Sequence, residues 1–182
     1  MDEIVKQAMI KWPQVPDCYG WLGLDMRGEW FLRDDAAQAF GTFGSGIAGT
    51  KGSKVQHEKL LAFLARNYAS DGRGCWYFQN GPQKVFVELG RTPWIWRLEE
   101  DGVVTSHTGQ QAVVRESYLD EDGLLYLDTN IGFGLVHTAD MGRAASRVEN
   151  GHWAPVPLES ASMPGRFGYV MSPHMLAGQR GC

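Results

Sequence analysis

The stretch Gly74–Glu100, GCWYFQNGPQKVFVELGRTPWIWRLEE, constrains this chain more than any other. Asn80-Gly81 lies between runs in which apolar and polar residues alternate, and Asn-Gly readily takes the positive backbone angles of a tight hairpin turn. Strands are expected near Cys75–Gln79, Lys84–Leu89 and Trp94–Leu98, joined by short turns. Such a meander buries one face and needs a second layer to cover it. The cover is expected from the segment that begins at Ser53. Ser53-Lys54-Val55-Gln56 has the S-x-x-Q form of a capping box, and Leu60, Leu61, Leu64 and Tyr68 make an apolar stripe at helical spacing. A helix over about Lys54–Ala69, stopped by Asp71-Gly72, follows from that pattern.

Further hairpin signals lie on either side. Trp21–Asp25 and Glu29–Arg33 flank a Met26-Arg27-Gly28 turn, and Ala112–Tyr118 leads into a similar feature over Leu119–Asp128. Leu24-Asp25-x-x-Gly28-x-x-x-Leu32 matches Leu119-Asp120-x-x-Gly123-x-x-x-Leu127 at four of nine positions. Acidic-Gly turns recur wherever hairpins do, and this reading is preferred to a duplication. Val103–Thr108, Ile131–His137 and Arg166–Met171 read as strands, and Thr138–Val148 as a short helix stopped by Asn150-Gly151. With 182 residues, the expectation is one α+β domain over residues 12–173, with loosely ordered termini at 1–11 and 174–182. Its fold class is a largely antiparallel sheet of hairpins with one principal helix packed on a face.

A content of 43% apolar and 21% charged residues places the chain among globular proteins. The net charge of −4 argues against non-specific binding to nucleic acid or anionic lipid. MDEIVKQAMIKWP carries acids at once and is not a signal peptide, and no run reaches the ~18 apolar residues of a membrane span. A cytoplasmic location is expected. Cys18, Cys75 and Cys182 are odd in number and widely spaced, which fits free thiols in a reducing compartment; no metal and no cofactor is expected.

Gly44-Ser45-Gly46-Ile47-Ala48-Gly49 has the spacing of a dinucleotide fingerprint, and Gly44-x4-Gly49 followed by Thr50-Lys51 almost spells a phosphate loop. No strand signal precedes it and the helix starts late, so a glycine loop is the expectation and anion binding the alternative. The five histidines are scattered, but His107 and His137, with Asp140 three residues on, are the ingredients of an acid–base pocket. Trp94 and Trp96 share a strand face near Arg97, as an exposed aromatic-basic platform would require. The competing reading packs these rings into the core. The carboxylate clusters Asp34-Asp35, Glu99-Glu100-Asp101 and Asp120-Glu121-Asp122 fall at turns and read as solvated.

Several motifs together carry a resemblance. They are Pro16-Asp17-Cys18-Tyr19-Gly20-Trp21-Leu22, His57-Glu58-Lys59-Leu60 with Arg66-Asn67-Tyr68, and Trp76-Tyr77-Phe78-Gln79-Asn80-Gly81-Pro82. Thr92-Pro93-Trp94-Ile95-Trp96, Gly132-Phe133-Gly134-Leu135-Val136-His137 and Arg166-Phe167-Gly168-Tyr169-Val170 complete the set. Over residues 12–173 the chain resembles an uncharacterised family of small cytosolic proteobacterial proteins, a domain of unknown function. The resemblance implies no activity, cofactor or site residue.

The residues favour a non-catalytic binding or accessory protein that uses an aromatic-lined sheet face on an unidentified protein or small ligand. Trp94, Trp96, Arg97 and the connector glycines Gly44, Gly46 and Gly49 are the candidate contacts. The alternative is a small enzyme with His107, His137 and Asp140 in one pocket and the connector holding an anion. Nucleic acid and membrane are not expected as partners, and a homo-oligomer is open.

Overall fold

The computed structural model describes residues 1–178. In chain order these form α1 (Glu3–Lys11), β1 (Cys18–Leu24), β2 (Trp30–Leu32), α2 (Asp35–Phe40), β3 (Ser53–Lys54) and α3 (Glu58–Arg66). The middle of the chain gives β4 (Tyr68–Ser70), β5 (Trp76–Asn80), β6 (Gln83–Leu89), β7 (Trp94–Leu98), β8 (Val104–Ser106) and β9 (Gln111–Ala112). Then come β10 (Val114–Leu119), β11 (Leu125–Thr129), β12 (Gly132–Val136), α4 (Met141–Glu149), β13 (Val156–Pro157), α5 (Met163–Phe167) and α6 (Pro173–Gly178). The chain gathers into two compact units, each with its own sheet. The first comprises Met1–Asp25, Glu29–Arg91 and the segment from Tyr169; the second comprises Met26–Gly28 and Thr92–Gly168.

The sheet of the first unit runs β3-β2-β1-β6-β5-β4. It joins two antiparallel three-stranded meanders along a parallel seam between β1 and β6. The Asn80-Gly81 hairpin forms, with Asn80 opposite Gln83. Its two loop residues are Gly81 and Pro82, and Gly81 at φ +57° takes the first central position, where a type II′ turn places glycine. α3 carries the chain from the β3 edge to the β4 edge. It starts at Glu58 and not at Lys54, because Ser53 and Lys54 pair with Leu32 and Phe31 and Val55 N–H donates to Trp30 O. His57 caps it instead, Nδ1 accepting from Leu60 N–H at 3.3 Å.

The second sheet runs β13-β10-β11-β12-β7-β8-β9. Only Val113 separates β9, at one end of this order, from β10 near the other. One residue spans roughly 7 Å between its neighbours, whereas strands lie ~4.8 Å apart across a sheet. The sheet must therefore roll up, and β9 and β10 act as one strand bent at Val113. The result is a ring of five: β7, β8, β9–β10, β11 and β12, with β12 back on β7. An up-and-down meander with an odd number of strands brings its first and last strands together in the same direction. The β7–β12 pair is accordingly parallel, with Gly134 opposite Trp94 and Val136 opposite Trp96.

Several expectations are corrected. The sheets are two and mixed, with parallel pairs β1–β6, β7–β12 and β10–β13, and the described residues hold six α-helices, not one principal helix. β7 does not continue the β5–β6 hairpin but enters the second sheet. Arg166 and Phe167 end α5, not a strand, and Gly168 stops it at φ +64°. The first eleven residues are tied down: α1 buries Val5, and Asp2 binds Arg66 (3.0 Å) and Asn67 (2.8 Å). At the other end Pro173–Gly178 is helical, and residues 179–182, with Cys182, lie outside the described residues. No helix among the described residues is long and apolar enough to cross a membrane.

Candidate functional site

The tryptophan pair is core. Trp94 is 4% and Trp96 0% exposed, their rings stacked with centroids 5.9 Å apart. Room for them comes from the strand beside them: a Cβ on Gly134 would lie 2.7 Å from Trp96 Nε1, and one on Gly132 2.7 Å from Trp94 Nε1. Trp94 and Trp96 thus form no exposed platform, because glycines across the parallel seam admit their rings. Arg97 reaches outward and pairs with Asp140 at 2.6 Å.

Nor do the acid–base candidates form a catalytic set. His107 and His137 lie on opposite sides of β7, His107 N–H donating to Ile95 O and His137 N–H to Trp96 O. His107 Nδ1 accepts from Ile95 N–H, and burial pushes its pKa down to about 3, which keeps the ring neutral. His137 Nδ1 accepts from Ala139 N–H at the start of a helical turn. Asp140 is 1% exposed and aims its carboxylate at Arg97, Leu98 N–H and Arg143. Burial alone would raise this carboxyl, but those donors and the two guanidinium charges hold it below the usual range. Asp140 therefore anchors the start of α4.

The glycine connector is wound around a cation of the protein's own. Buried Arg33 donates to the carbonyls of Thr50 (2.7 Å), Gly20 (3.1 Å), Ala37 (3.3 Å) and Gly41 (2.6 Å). Lys51, the near-miss phosphate-loop lysine, pairs with Asp25 at 2.9 Å. β3 stands between the connector and α3, so Gly44, Gly46 and Gly49 do not open a helix, and a Cβ on Gly46 would meet nothing within 4 Å. That geometry departs from a phosphate cradle, in which glycines bring backbone close to the anion at a helix start. Among the described residues no group of three or more His, Cys, Asp or Glu could hold a metal ion.

What the first unit does offer is an apolar groove of about 350 Å3 between α3 and its sheet. Phe63, Leu60 and Leu64 face it from the helix; Trp21, Leu32 and Phe78 face it from the strands. Trp21 is 45% and Leu32 51% exposed, unlike their neighbours Leu22 and Leu24, which are buried. Cys18 and Asn80 are the polar residues of the lining, and burial pushes the Cys18 thiol up, away from the reactive thiolate. The sequence reading missed this groove: Phe63 fell outside the stripe, and Trp21 read only as a strand residue. The available signal was a tryptophan on the outward phase of β1, between residues of the buried phase.

None of the curated proteins matches the chain. Among solved structures it is similar to a DUF1285 family protein from Silicibacter pomeroyi DSS-3, with 13% identity, 72% of this chain and 70% of that one covered, and a TM-score of 0.48. A DUF1285 family protein from Shewanella baltica OS155 is similar at 13% identity, covering 69% of this chain and 91% of the other, with a TM-score of 0.45. The profile of DUF2944, described as "Protein of unknown function (DUF2946)", matches residues 1–174 of the chain, which therefore belongs to this family.

Proposed function

We propose that this is a non-catalytic binding protein that takes a small, largely apolar ligand in the groove between α3 and the first sheet. The observation that carries the reading is the exposure of Trp21 and Leu32 on the wall of an otherwise apolar cleft. A cavity of about 350 Å3 suits a small molecule, and an apolar lining with a few polar groups is the usual make-up of such sites. Asn80 at the wall gives the ligand one amide to orient against. A reducing cytoplasm fits the protein, since Cys18 is a free thiol.

Thermal melting and tryptophan fluorescence in the presence of indole, naphthalene or octanoate test the proposal. At least one probe is expected to raise the melting temperature and alter the emission. Trp21→Ala and Leu60→Glu should each weaken that probe about tenfold or more while the fold persists, about 1.4 kcal/mol of binding energy. If all three probes fail, or both substitutions leave affinity unchanged, the groove is not a ligand site.

A further inference from the structure

A cavity of about 450 Å3 opens beside β10 in the second unit. Two features of the strand create it. β13 covers β10 only at Tyr118 and Leu119, so the first half of the strand stands open. The β10–β11 ladder also shifts register between Val114, opposite Thr129, and Glu116, opposite Asp128. Arg115 occupies this bulge, a device that re-aims a side chain, and it lines the cavity. Arg166 lines it too, from α5. Its guanidinium lies 4.9 Å from the Tyr118 ring centroid and 5.6 Å from that of Phe167, and it donates to Tyr118 Oη at 3.2 Å. Tyr118 in turn donates to Glu116, the one carboxylate on the wall. Arg166 is thus fixed in place with most of its donors unspent. Among the described residues Arg115 and His152 carry no side-chain hydrogen bond or ion pair, and Trp153 supplies a flat apolar wall.

We infer that the second unit carries a separate site for a small ligand that joins an acidic group to a flat ring, the acid held by Arg115 and Arg166 and the ring set against Trp153. Two guanidinium groups facing a single, already engaged carboxylate leave the cavity positive at neutral pH. Guanidinium forks match carboxylate and phosphate oxygens in pairs, and an indole face favours a planar partner. This site shares no residue with the apolar groove of the first unit, so either stands if the other fails.

The test is a titration of the full chain followed through the indole N–H signal of Trp153 in nitrogen–proton NMR spectra, assigned with Trp153→Phe. The probes are benzoate and indole-3-acetate for a carboxylate, adenosine monophosphate for a phosphate, and benzyl alcohol as the uncharged control. At least one acidic probe should shift the Trp153 signal with a dissociation constant below about 1 mM, and the arm that does so identifies the acid. Benzyl alcohol should bind about tenfold or more weakly, Arg115→Gln and Arg166→Gln should each cost at least about tenfold, and Trp21→Ala should change nothing. Arg115 is exposed, so its variant reads binding even where Arg166→Gln disturbs packing. No shift with any acidic probe, equal binding of benzyl alcohol, or affinity untouched by Arg115→Gln overturns the proposal.

Discussion

Arg33 and Glu88 show how charged residues serve as framework in the first unit. Arg33 spends its fork on four main-chain carbonyls around the connector. Arg33→Met should therefore cost about 3–5 kcal/mol in urea unfolding, since it leaves buried acceptors unpaired; Arg33→Lys, which keeps the charge but loses the fork, should recover only a minor part. Glu88, 2% exposed, accepts from Ser172 Oγ and from His174 N–H at 3.0 Å, tying the C-terminal segment to β6. Burial pushes its carboxyl up, and the donors and the nearby Arg33 charge only partly offset that. The folded state then holds the proton more tightly than the unfolded chain does. Stability from Glu88 is full below the ordinary carboxyl pKa of about 4.3 and is lost as pH rises through the raised value. Relative to Glu88→Gln, the wild type should lose stability as pH climbs from 4 towards 8, read from urea midpoints at each pH; a constant difference would contradict this.

One turn design recurs among the elements. In Asp25–Glu29, Asp71–Cys75 and Asp120–Leu124 the aspartate N–H donates to the carbonyl four residues on, and its Oδ1 accepts from that residue's N–H. Each turn has a left-handed glycine at its fourth position: Gly28 (φ +73°), Gly74 (φ +81°) and Gly123 (φ +76°). The likeness between Leu24–Leu32 and Leu119–Leu127 is thus a shared turn, and Asp71-Gly72-Arg73-Gly74, which read as a helix stop, is a third copy. Such turns were legible because they are written in consecutive residues. The start of α3 was not, since β2 claims Ser53 and Lys54 from a distant part of the chain. Burial of Trp94 and Trp96 was legible as one of two readings, but what makes room for it was not, since that depends on Gly132 and Gly134 in a strand far along the sequence. Two glycine substitutions separate the causes. Gly123→Ala meets no atom and should cost only the left-handed backbone strain, about 1–2 kcal/mol. Gly134→Ala has no such strain, but its Cβ would fall 2.4 Å from Trp94 O, a backbone atom. It should cost about 3 kcal/mol or more and shift the near-ultraviolet tryptophan signal, as overpacking a seam does.

At the scale of the molecule, the first unit is closed by residues from the far end of the chain. Val170 N–H donates to Gly74 O and Leu89 N–H to Met171 O, while Val170 and Leu176 pack on the cluster of Cys75, Tyr77 and Phe86. Removing residues 169–182 should abolish cooperative unfolding of the first unit, seen as early loss of amide protection in β5 and β6 by hydrogen exchange. Unchanged protection there would show that the segment only decorates the unit. Composition and hairpin spacing did announce an α+β chain rich in antiparallel pairs. They could not announce two sheets, because which strand follows which neighbour is decided by pairings between remote segments. The bend at Val113 has a consequence of its own. Unsatisfied strand borders invite neighbouring chains to add on and start ordered aggregates. By bending one strand to serve two neighbours, the second unit confines much of that border to the first half of β10, where the exposed charges of Arg115 and Glu116 stand guard.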